Sequence, residues 1–267
     1  MKKKIVASLL YLLPLTVFCA ETYNFSGIYF GLNAKETWSD NKLQQIGGDG
    51  SLTDLFVCGH YGLYCGAKKE MSDFSIAPVI GIQKQFDNNF LFGVEGSYSG
   101  NSLNKTSLNE HQSNNEATPI DTTSINIKNV GSLSAKFGYV FVSQNQFLNN
   151  TLGFVKLGYA QAKSSTHSFE PGDNSRLNHN AYSSAIHRGV LYGVGFEKNM
   201  SFISQSLNDV IVGIEYNYYD LNSKTSGSDY YWTTQAPQAG VNPSTNVNPK
   251  LESLGLKIEY KFGASNF

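Results

Sequence analysis

Apolar and polar residues alternate in eight segments along the chain, and a period of two is the pattern of a β-strand with two different faces. The clearest segment runs from Val210 to Asn222. Within it, apolar or aromatic residues stand at every second position, and Gly213, Glu215 and Asn217 lie between them. The other segments are 25–36, 74–86, 90–101, 128–143, 152–164, 187–198 and 253–262. The pattern therefore predicts an all-β chain of eight strands.

One of these segments contains a residue that strands disfavour. Pro78 lies inside the second segment. Because proline has no N–H group to donate to a neighbouring strand, it argues against a regular ladder at that point.

The connections between the segments alternate between short and long. The short ones are 87–89, 144–151 and 199–209, and the long, polar ones are 37–73, 102–127, 165–186 and 223–250. Short turns at one end and long loops at the other are typical of outer-membrane barrels, whose strands need about 9–11 residues to cross a bilayer at a tilt. The sequence therefore predicts an eight-stranded antiparallel transmembrane up-and-down β-barrel with four long surface loops and short periplasmic turns.

Alternation alone does not show which face of the sheet points outward. A soluble barrel of the lipocalin type also has eight alternating strands, with its apolar face inside. A water-facing outer surface would be rich in long charged side chains, whereas the polar face here consists mostly of small residues. They include Gly93, Ser97, Ser134, Gly138, Gly158, Ala160, Gly193 and Gly195. Small residues fit the narrow interior of an eight-stranded barrel, so we expect the apolar face to point outward into lipid.

The same small-residue face carries an equal number of acidic and basic residues. They are Glu95, Glu197, Glu215 and Glu259, and Lys136, Lys156, Lys257 and Lys261. Buried charges need partners, whereas a solvated face does not require an equal count. The balance therefore favours a network of salt bridges in the barrel interior, and the alternative is a coincidental count on a wet surface.

The composition agrees with a membrane β protein and excludes one class of partner. The chain has 267 residues and a formal net charge of -1, so it lacks the basic surface of a nucleic-acid-binding protein. Aromatic residues make up 13% of the chain, charged residues only 15%, and there are 25 glycines. Many aromatics and few charges favour an outer surface that meets something other than water.

The first 20 residues have the features of a secretory signal peptide. Three lysines at 2–4 precede an apolar run from Ile5 to Phe18. A helix of this run would measure about 20 Å, which is short of the roughly 30 Å of a hydrocarbon core. We expect cleavage after Cys19 or Ala20, which leaves 21–267 as the barrel.

The three cysteines have different expected roles. Cys19 would be the acylated residue if the chain were a lipoprotein, but the bulky Phe18 before it fits neither kind of cleavage site. Cys58 and Cys65 lie close together in an exported, oxidising context, which favours a disulfide. A metal site is the alternative, although His60 is the only further ligand nearby.

Four strands resemble those of a known superfamily. Phe25 to Gly31 resembles the first strand of small outer-membrane barrels, in which an aromatic residue precedes Ser/Thr-Gly-x-Tyr-x-Gly. Segments 92–95, 155–159 and 214–221 resemble the third, fifth and seventh strands. The chain therefore resembles, along its strands but not its loops, the superfamily of OmpA-like barrels, opacity-type proteins and outer membrane immunogenic proteins.

The last strand resembles the signal that the barrel-assembly machinery reads. Its characteristic residues are Gly255, Ile258, Tyr260 and Phe262. The chain continues to a second terminal phenylalanine, Phe267, so either one is a candidate for the recognised end.

The histidines and one short motif are the candidates for further chemistry. His60, His111, His167, His179 and His187 all lie in or beside predicted surface loops. Some members of the superfamily bind haemin, but these spacings form no compact ligand set, so neither a cofactor nor a metal is predicted. The run from His111 to Asn114 resembles the H-x-S-N core of lipid A deacylases, but it is short and lies in a polar loop, so no enzyme is predicted.

The resemblance implies a surface protein with a structural and interaction role. This role includes envelope integrity and adhesion or ligand binding through the loops. The expected partners are outer-membrane lipid, lipopolysaccharide, the barrel-assembly machinery and host surface or matrix molecules. The aromatic triplet 230–232 is either an anchor for such a partner or part of the aromatic girdle. The alternative function is a narrow, non-specific porin.

Overall fold

The computed structural model contains eleven strands. It describes residues 23–46, 68–109, 121–143, 145, 148–170, 179–227, 229–232 and 244–263. The strands are β1 Gly27–Ile46, β2 Lys68–Gln85, β3 Phe90–Asn109, β4 Asp121–Phe141, β5 Thr151–Glu170, β6 His179–Asn199, β7 Val210–Leu221, β8 Lys224–Gly227, β9 Asp229–Trp232, β10 Ser244–Asn248 and β11 Lys250–Phe262. Two 3-10 turns, Met200–Phe202 and Gln205–Leu207, lie between β6 and β7. Within the described ranges, no helix is long and apolar enough to cross a membrane.

Eight of the strands form a closed antiparallel ring. Each strand from β1 to β7 pairs with the next, β7 pairs with β11, and β11 pairs with β1. The closing ladder runs from Ile28↔Phe262 to Ser39↔Leu251. A closed ring has no unpaired edge, which a sheet needs if it is to lie in lipid. The ring confirms the fold class predicted from the alternation.

At one end of the ring the strands continue into the predicted loops. β1 to β6 contain 18 to 21 residues each, about twice what a tilted strand needs to cross a bilayer. β5 and β6, for example, pair as far as Glu170↔His179. The predicted loop boundaries were therefore wrong. Beyond the bilayer the outer face meets water. The strands therefore continue to pair there without the alternation of apolar and polar residues from which they were predicted. We call this end of the barrel the loop end and the opposite end the turn end.

The last predicted loop also contains regular structure. β10 pairs with β1 beyond the end of β11, and β8 pairs with β10. β9, which holds the aromatic triplet, pairs with β6 from His179↔Trp232 to Tyr182↔Asp229. The triplet therefore belongs to a strand that extends the barrel wall.

The outward face forms a continuous apolar band around the ring. Its residues are among the most exposed in the molecule, with Phe74 65%, Leu256 64% and Ile258 62% exposed. Further members include Phe30, Leu32, Ile80, Ile82, Phe92, Val94, Leu133, Phe137, Val155, Leu157, Val190, Tyr192, Val194, Phe196, Ile214 and Leu254. An apolar surface of this size is unfavourable in water. A barrel that lies in lipid has an apolar outer surface of this kind.

At the loop end, the apolar band is bounded by aromatic side chains with a polar edge. Trp38 Nε1 and the Tyr216 hydroxyl both donate to Glu252 Oε2, at 3.0 Å and 2.8 Å. Aromatic rings with one polar atom collect at the boundary between lipid and water.

The interior is filled in three layers. An apolar layer at the turn end consists of Tyr23, Phe25, Leu91, Val140, Leu152, Phe154 and Ile211. A second apolar layer towards the loop end consists of Met71, Leu103, Ile125, Ile127, Val130, Ala160, Ala162, Leu191, Tyr219, Leu221, Val247 and Leu251. The charged side chains lie between the two.

Pro78 lies within β2, as predicted, but it interrupts only one of the two ladders. β2 pairs with β1 on both sides of the proline, whereas its ladder with β3 ends at Val79↔Ser97. Beyond that point, the hydroxyls of Ser75 and Ser99 lie 2.8 Å apart across the gap. A side-chain hydrogen bond thus joins the strands where the backbone ladder has stopped.

Candidate functional site

Lys257 lies at the centre of the charged layer and is fully buried. Its Nζ lies 2.7 Å from Glu197 Oε1 and 2.7 Å from Glu259 Oε1. The same atom lies 3.0 Å from Glu95 Oε2 and 3.5 Å from Glu215 Oε2. One ammonium group therefore contacts four carboxylates, which we call the interior carboxylates.

Two further lysines lie on either side of this centre. Lys136 Nζ lies 2.7 Å from Glu197 Oε1, and Lys156 Nζ lies 2.6 Å from Glu95 Oε1 and 2.5 Å from Glu215 Oε2. All of these side chains are at most 4% exposed. At such burial a charge is tolerated only if partners and hydrogen bonds replace its water. We call the seven residues the ion cluster.

Neutral groups complete the hydrogen bonding of two interior carboxylates. The Tyr29 hydroxyl donates to Glu95 Oε2 at 2.9 Å. Asn33 Nδ2 and Asn217 Nδ2 both donate to Glu215 Oε1, at 3.1 Å and 2.7 Å. These hydrogen bonds replace those that water would make to the carboxylates of Glu95 and Glu215.

Each charge in the cluster lies directly across a strand ladder from a glycine. The pairs are Glu95↔Gly81, Lys136↔Gly93, Lys156↔Gly193, Glu197↔Gly213, Glu215↔Gly195, Glu215↔Gly255, Lys257↔Gly213 and Glu259↔Gly31. At Gly213, an added Cβ would lie 2.8 Å from Glu197 Cγ and 2.9 Å from Phe196 O. The glycines therefore supply the room in which the long charged side chains cross the interior.

Three interior carboxylates are close enough to suggest a metal site. Oxygens of Glu95, Glu197 and Glu259 lie within 4.8 Å of one another. However, all three contact Lys257 Nζ, at 3.0 Å, 2.7 Å and 2.7 Å. The lysine ammonium thus stands where the carboxylates converge, and it supplies the positive charge that a metal ion would bring.

The structure places Lys261, the fourth lysine of the predicted network, apart from the cluster. Its Nζ donates to the Asn24 carbonyl and lies 4.2 Å from the ring centroid of Tyr23. Burial raises the pKa of the Tyr23 phenol above its usual value, so the ring stays neutral beside the cation. The sequence predicted four acidic and four basic residues in the interior network, whereas the ion cluster contains four carboxylates and three lysines.

Two basic side chains of the interior, Lys35 and His187, were missed from the sequence. Lys35 is buried, with its Nζ 3.4 Å from the Tyr219 hydroxyl. His187, which was assigned to a position in or beside a surface loop, is fully buried in β6. Its Nε2 lies 2.7 Å from Ser164 Oγ and its Nδ1 lies 3.0 Å from the Asn222 carbonyl oxygen. Lys35 lies in the predicted segment 25–36 and His187 begins the predicted segment 187–198, so the period-two pattern would have placed both residues on the inward face.

Two other histidines lie in strands near the loop end. His167 lies in β5, where its ring stacks on Tyr182 with a centroid distance of 4.3 Å, and His179 begins β6. Their positions on neighbouring strands bring together no set of metal ligands among the residues that the structure describes.

The residues of the predicted assembly signal lie on β11. Ile258, Tyr260 and Phe262 point outward into the apolar band, and Phe262 ends the strand opposite Ile28. Gly255 lies on the inward face opposite Glu215. These outward aromatic residues therefore lie at the turn end of the closing strand.

Several predictions concern parts of the chain outside the described residues. They are the signal peptide 1–20, the Cys58–Cys65 disulfide, His60, the motif at 111–114 and Phe267. Each of these stays a prediction.

No protein-family model matches this sequence, and no curated protein matches it. Among solved structures, the outer membrane protein OprG from Pseudomonas aeruginosa is similar, with 12% identity, 90% of this chain and 99% of that chain covered, and a TM-score of 0.47. Neisserial surface protein A is 14% identical; the match covers 89% of this chain and 98% of that chain, with a TM-score of 0.32. Ail, the attachment invasion locus protein of Yersinia pestis, is 12% identical; the match covers 88% of this chain and 100% of that chain, with a TM-score of 0.31. Similarity at this level carries no information on function.

The assignment of class rests on the molecule itself. A closed ring of eight antiparallel strands, an apolar outer band and a filled, ion-paired interior together define a small outer-membrane-type β-barrel. This is the fold expected from the superfamily that the strand sequences resemble.

Proposed function

We propose that this chain is an exported outer-membrane barrel with a structural and interaction role. In this proposal the turn end faces the periplasm and the loop end faces the outside of the cell. The barrel contributes to envelope integrity and presents its loops to ligands or to host surface and matrix molecules. The observation that carries the proposal is the filled interior.

The interior leaves a pore little room. An eight-stranded barrel is just wide enough for its own side chains to fill it. Here the ion cluster spans the middle, and apolar layers lie on either side of it. Passage of an ion would require buried ion pairs to separate, which typically costs several kcal/mol. This favours the structural role over the alternative of a narrow porin.

The long strands support the interaction role. The ladders of β3 with β4 and of β5 with β6 continue to Asn109↔Asp121 and Glu170↔His179, well beyond the apolar band. Such an extension holds the connecting segments away from the bilayer on a hydrogen-bonded wall. Binding residues are commonly carried on loops that a rigid scaffold positions.

Single-channel recording in planar bilayers tests the proposal. The folded full-length barrel should pass no steady current, and heat-shifted migration on a gel should confirm that the sample was folded. A steady conductance without ion selectivity would favour the porin instead.

A second measurement tests the interaction role. Barrels in vesicles would be screened against haemin, lipopolysaccharide and host matrix proteins, with barrels whose loops have been clipped by protease as the matched control. Binding that survives clipping would contradict the assignment of that role to the loops. The proposal includes no catalytic activity.

A further inference from the structure

The ion cluster contains one more carboxylate than it has lysines. Lys136, Lys156 and Lys257 stand against the four interior carboxylates. If all seven groups were ionised, one negative charge would therefore be left without a counter-charge inside the barrel. A buried charge of this kind is strongly unfavourable.

The two other buried lysines of the interior do not supply the missing charge. Lys35 Nζ lies 3.4 Å from the Tyr219 hydroxyl, towards the loop end. Lys261 Nζ donates to the Asn24 carbonyl at the turn end, where Asp209 is the carboxylate that acts on it. Among the residues that the structure describes, neither ammonium group lies within 4.0 Å of an interior carboxylate.

Glu259 is the interior carboxylate with the fewest partners. It is 1% exposed, and neither of its oxygens accepts a hydrogen bond from a described residue. Lys257 Nζ lies 2.7 Å from its Oε1, but the contact lacks the direction of a hydrogen bond. The other three interior carboxylates each accept at least two hydrogen bonds. The excess negative charge is therefore least well compensated at Glu259.

The neighbours of Glu259 in the strand register offer it no donor side chain. It lies on the inward face of β11, opposite Gly31 of β1 and Ile211 of β7. Oxygens of two other interior carboxylates lie within 4.8 Å of one of its own. The charged and titratable groups that face it, from its own strand and from β1, β3, β4 and β6, are Lys257, Lys261, Tyr29, Glu95, Lys136 and Glu197.

A bound proton removes the excess charge at a lower cost than leaving Glu259 ionised. At pH 7, protonation of an ordinary glutamate is unfavourable by a factor of about 500. Burial of a carboxylate without hydrogen bonds is more unfavourable than this, and carboxylates that share a site do not all ionise. The single ammonium near Glu259 is also shared with the other three interior carboxylates.

We propose that the folded barrel binds one proton within the ion cluster, and that Glu259 carries it as an uncharged carboxylic acid. The cluster as a whole is then neutral. The O–H group of the acid faces the oxygens of Glu95 and Glu197, which can accept its hydrogen bond. The inference rests on the filled interior and not on the outer-membrane location, and it adds a bound proton to the proposed function.

Infrared spectroscopy of the folded full-length barrel tests the inference at pH 7. The barrel is held in micelles of an alkyl maltoside, because this detergent has no carbonyl group of its own. The wild type should show the C=O stretching band of a protonated carboxylic acid, and Glu259→Gln should lose it. Glu252→Gln, which removes an outward carboxylate of the same strand, should keep the band. Heat-shifted migration on a gel shows that each sample is folded.

Three results of this measurement would overturn the inference. Absence of the band from the wild type would mean that the cluster holds no proton, and its persistence in Glu259→Gln would place the proton elsewhere. Failure of Glu259→Gln to fold would also contradict the inference, because glutamine has the shape and the charge of the protonated acid. The measurement requires no bilayer, so its failure is distinct from a failure to insert into vesicles.

The dependence of folding on pH gives a second, independent test. An unfolded glutamate releases its proton near about pH 4.3. Above this pH the folded barrel holds a proton that the unfolded chain lacks, so its stability should fall as the pH rises, until the folded barrel also releases the proton. Glu259→Gln has no such proton to take up. The ratio of its folding equilibrium constant to that of the wild type should therefore rise between pH 6 and pH 8, by up to about tenfold per pH unit. A ratio that does not change with pH would overturn the inference.

Discussion

The three lysines of the ion cluster differ in how their charge is compensated from three basic residues on the outer face, Lys128, Lys163 and Arg188. Lys257 contacts four carboxylates inside the barrel, whereas no described carboxylate lies within ion-pair distance of Lys128, Lys163 or Arg188 on the outside. The side chains of the ion cluster are buried, so the protein must supply their partners. At the lipid boundary, water, ions and lipid headgroups supply the opposite charge. The buried charges of the cluster thus have their partners within the protein, whereas these three outer charges have none within ion-pair distance among the described residues.

Removal of the central lysine should have the largest effect. Lys257→Met leaves the interior carboxylates with two lysines, and loss of one partner of a buried pair typically costs about 3–5 kcal/mol. We expect a large loss in the free energy of unfolding, measured by urea titration of the barrel in vesicles. Lys250→Met, which removes an exposed pair with a distance of 3.9 Å, is the control. It should cost at most about 1 kcal/mol, and a similar loss in both variants would contradict the buried role.

A charge placed on the apolar band should have the next largest effect. Leu256→Lys puts an ammonium where the side chain is 64% exposed to the surroundings. If those surroundings are hydrocarbon near the bilayer midplane, the substitution should destabilise the folded barrel by about 2–4 kcal/mol. Folding into vesicles measures it, with Leu256→Met as the control. If Leu256→Lys left the stability of the folded barrel unchanged, this face would meet water.

Filling the space beside the ion cluster should have a smaller effect. At Gly213 a Cβ would lie 2.8 Å from Glu197 Cγ and 2.9 Å from Phe196 O. Gly213→Ala should therefore destabilise the barrel by about 1–3 kcal/mol through overpacking. Gly96→Ala is the matched control, since a Cβ there would meet nothing closer than 3.9 Å. Equal urea midpoints for the two variants would contradict the role given to the glycine.

Neutralisation of Lys128, Lys163 and Arg188 on the outer face should have the smallest effect on stability, and in the opposite direction. In vesicles of pure phosphatidylcholine, Lys128→Gln/Lys163→Gln/Arg188→Gln should stabilise the barrel by up to about 1 kcal/mol, because like charges that face one another repel. A triple variant that is less stable than the wild type would show that the three side chains have a structural partner after all.

Local alternation was sufficient to predict the strands and their faces, because the face of a side chain depends only on its own strand. Depth in the barrel depends on register between strands, which is not a local property. Lys261 shares its face with the ion cluster but lies at the turn end beside Asn24, so its partner could not be predicted. Lys35 and His187 lie at the loop-end limits of the predicted segments 25–36 and 187–198, where the wet outer face contrasts least with the inner one.

The ion cluster also bears on how the barrel is completed. Its first five residues, Glu95, Lys136, Lys156, Glu197 and Glu215, come one each from β3, β4, β5, β6 and β7 in turn. The last two, Lys257 and Glu259, both belong to β11, the strand that closes the ring against β1. A chain in which β11 has not yet docked has three of these carboxylates and only two of the lysines along an open seam. Because β11 adds one lysine and one glutamate, it leaves the excess of one carboxylate unchanged and instead supplies the ammonium group that contacts all four interior carboxylates. Closure of the ring and assembly of the central ion pairs are therefore the same event, so a nearly finished barrel gains little stability until its final strand is in place.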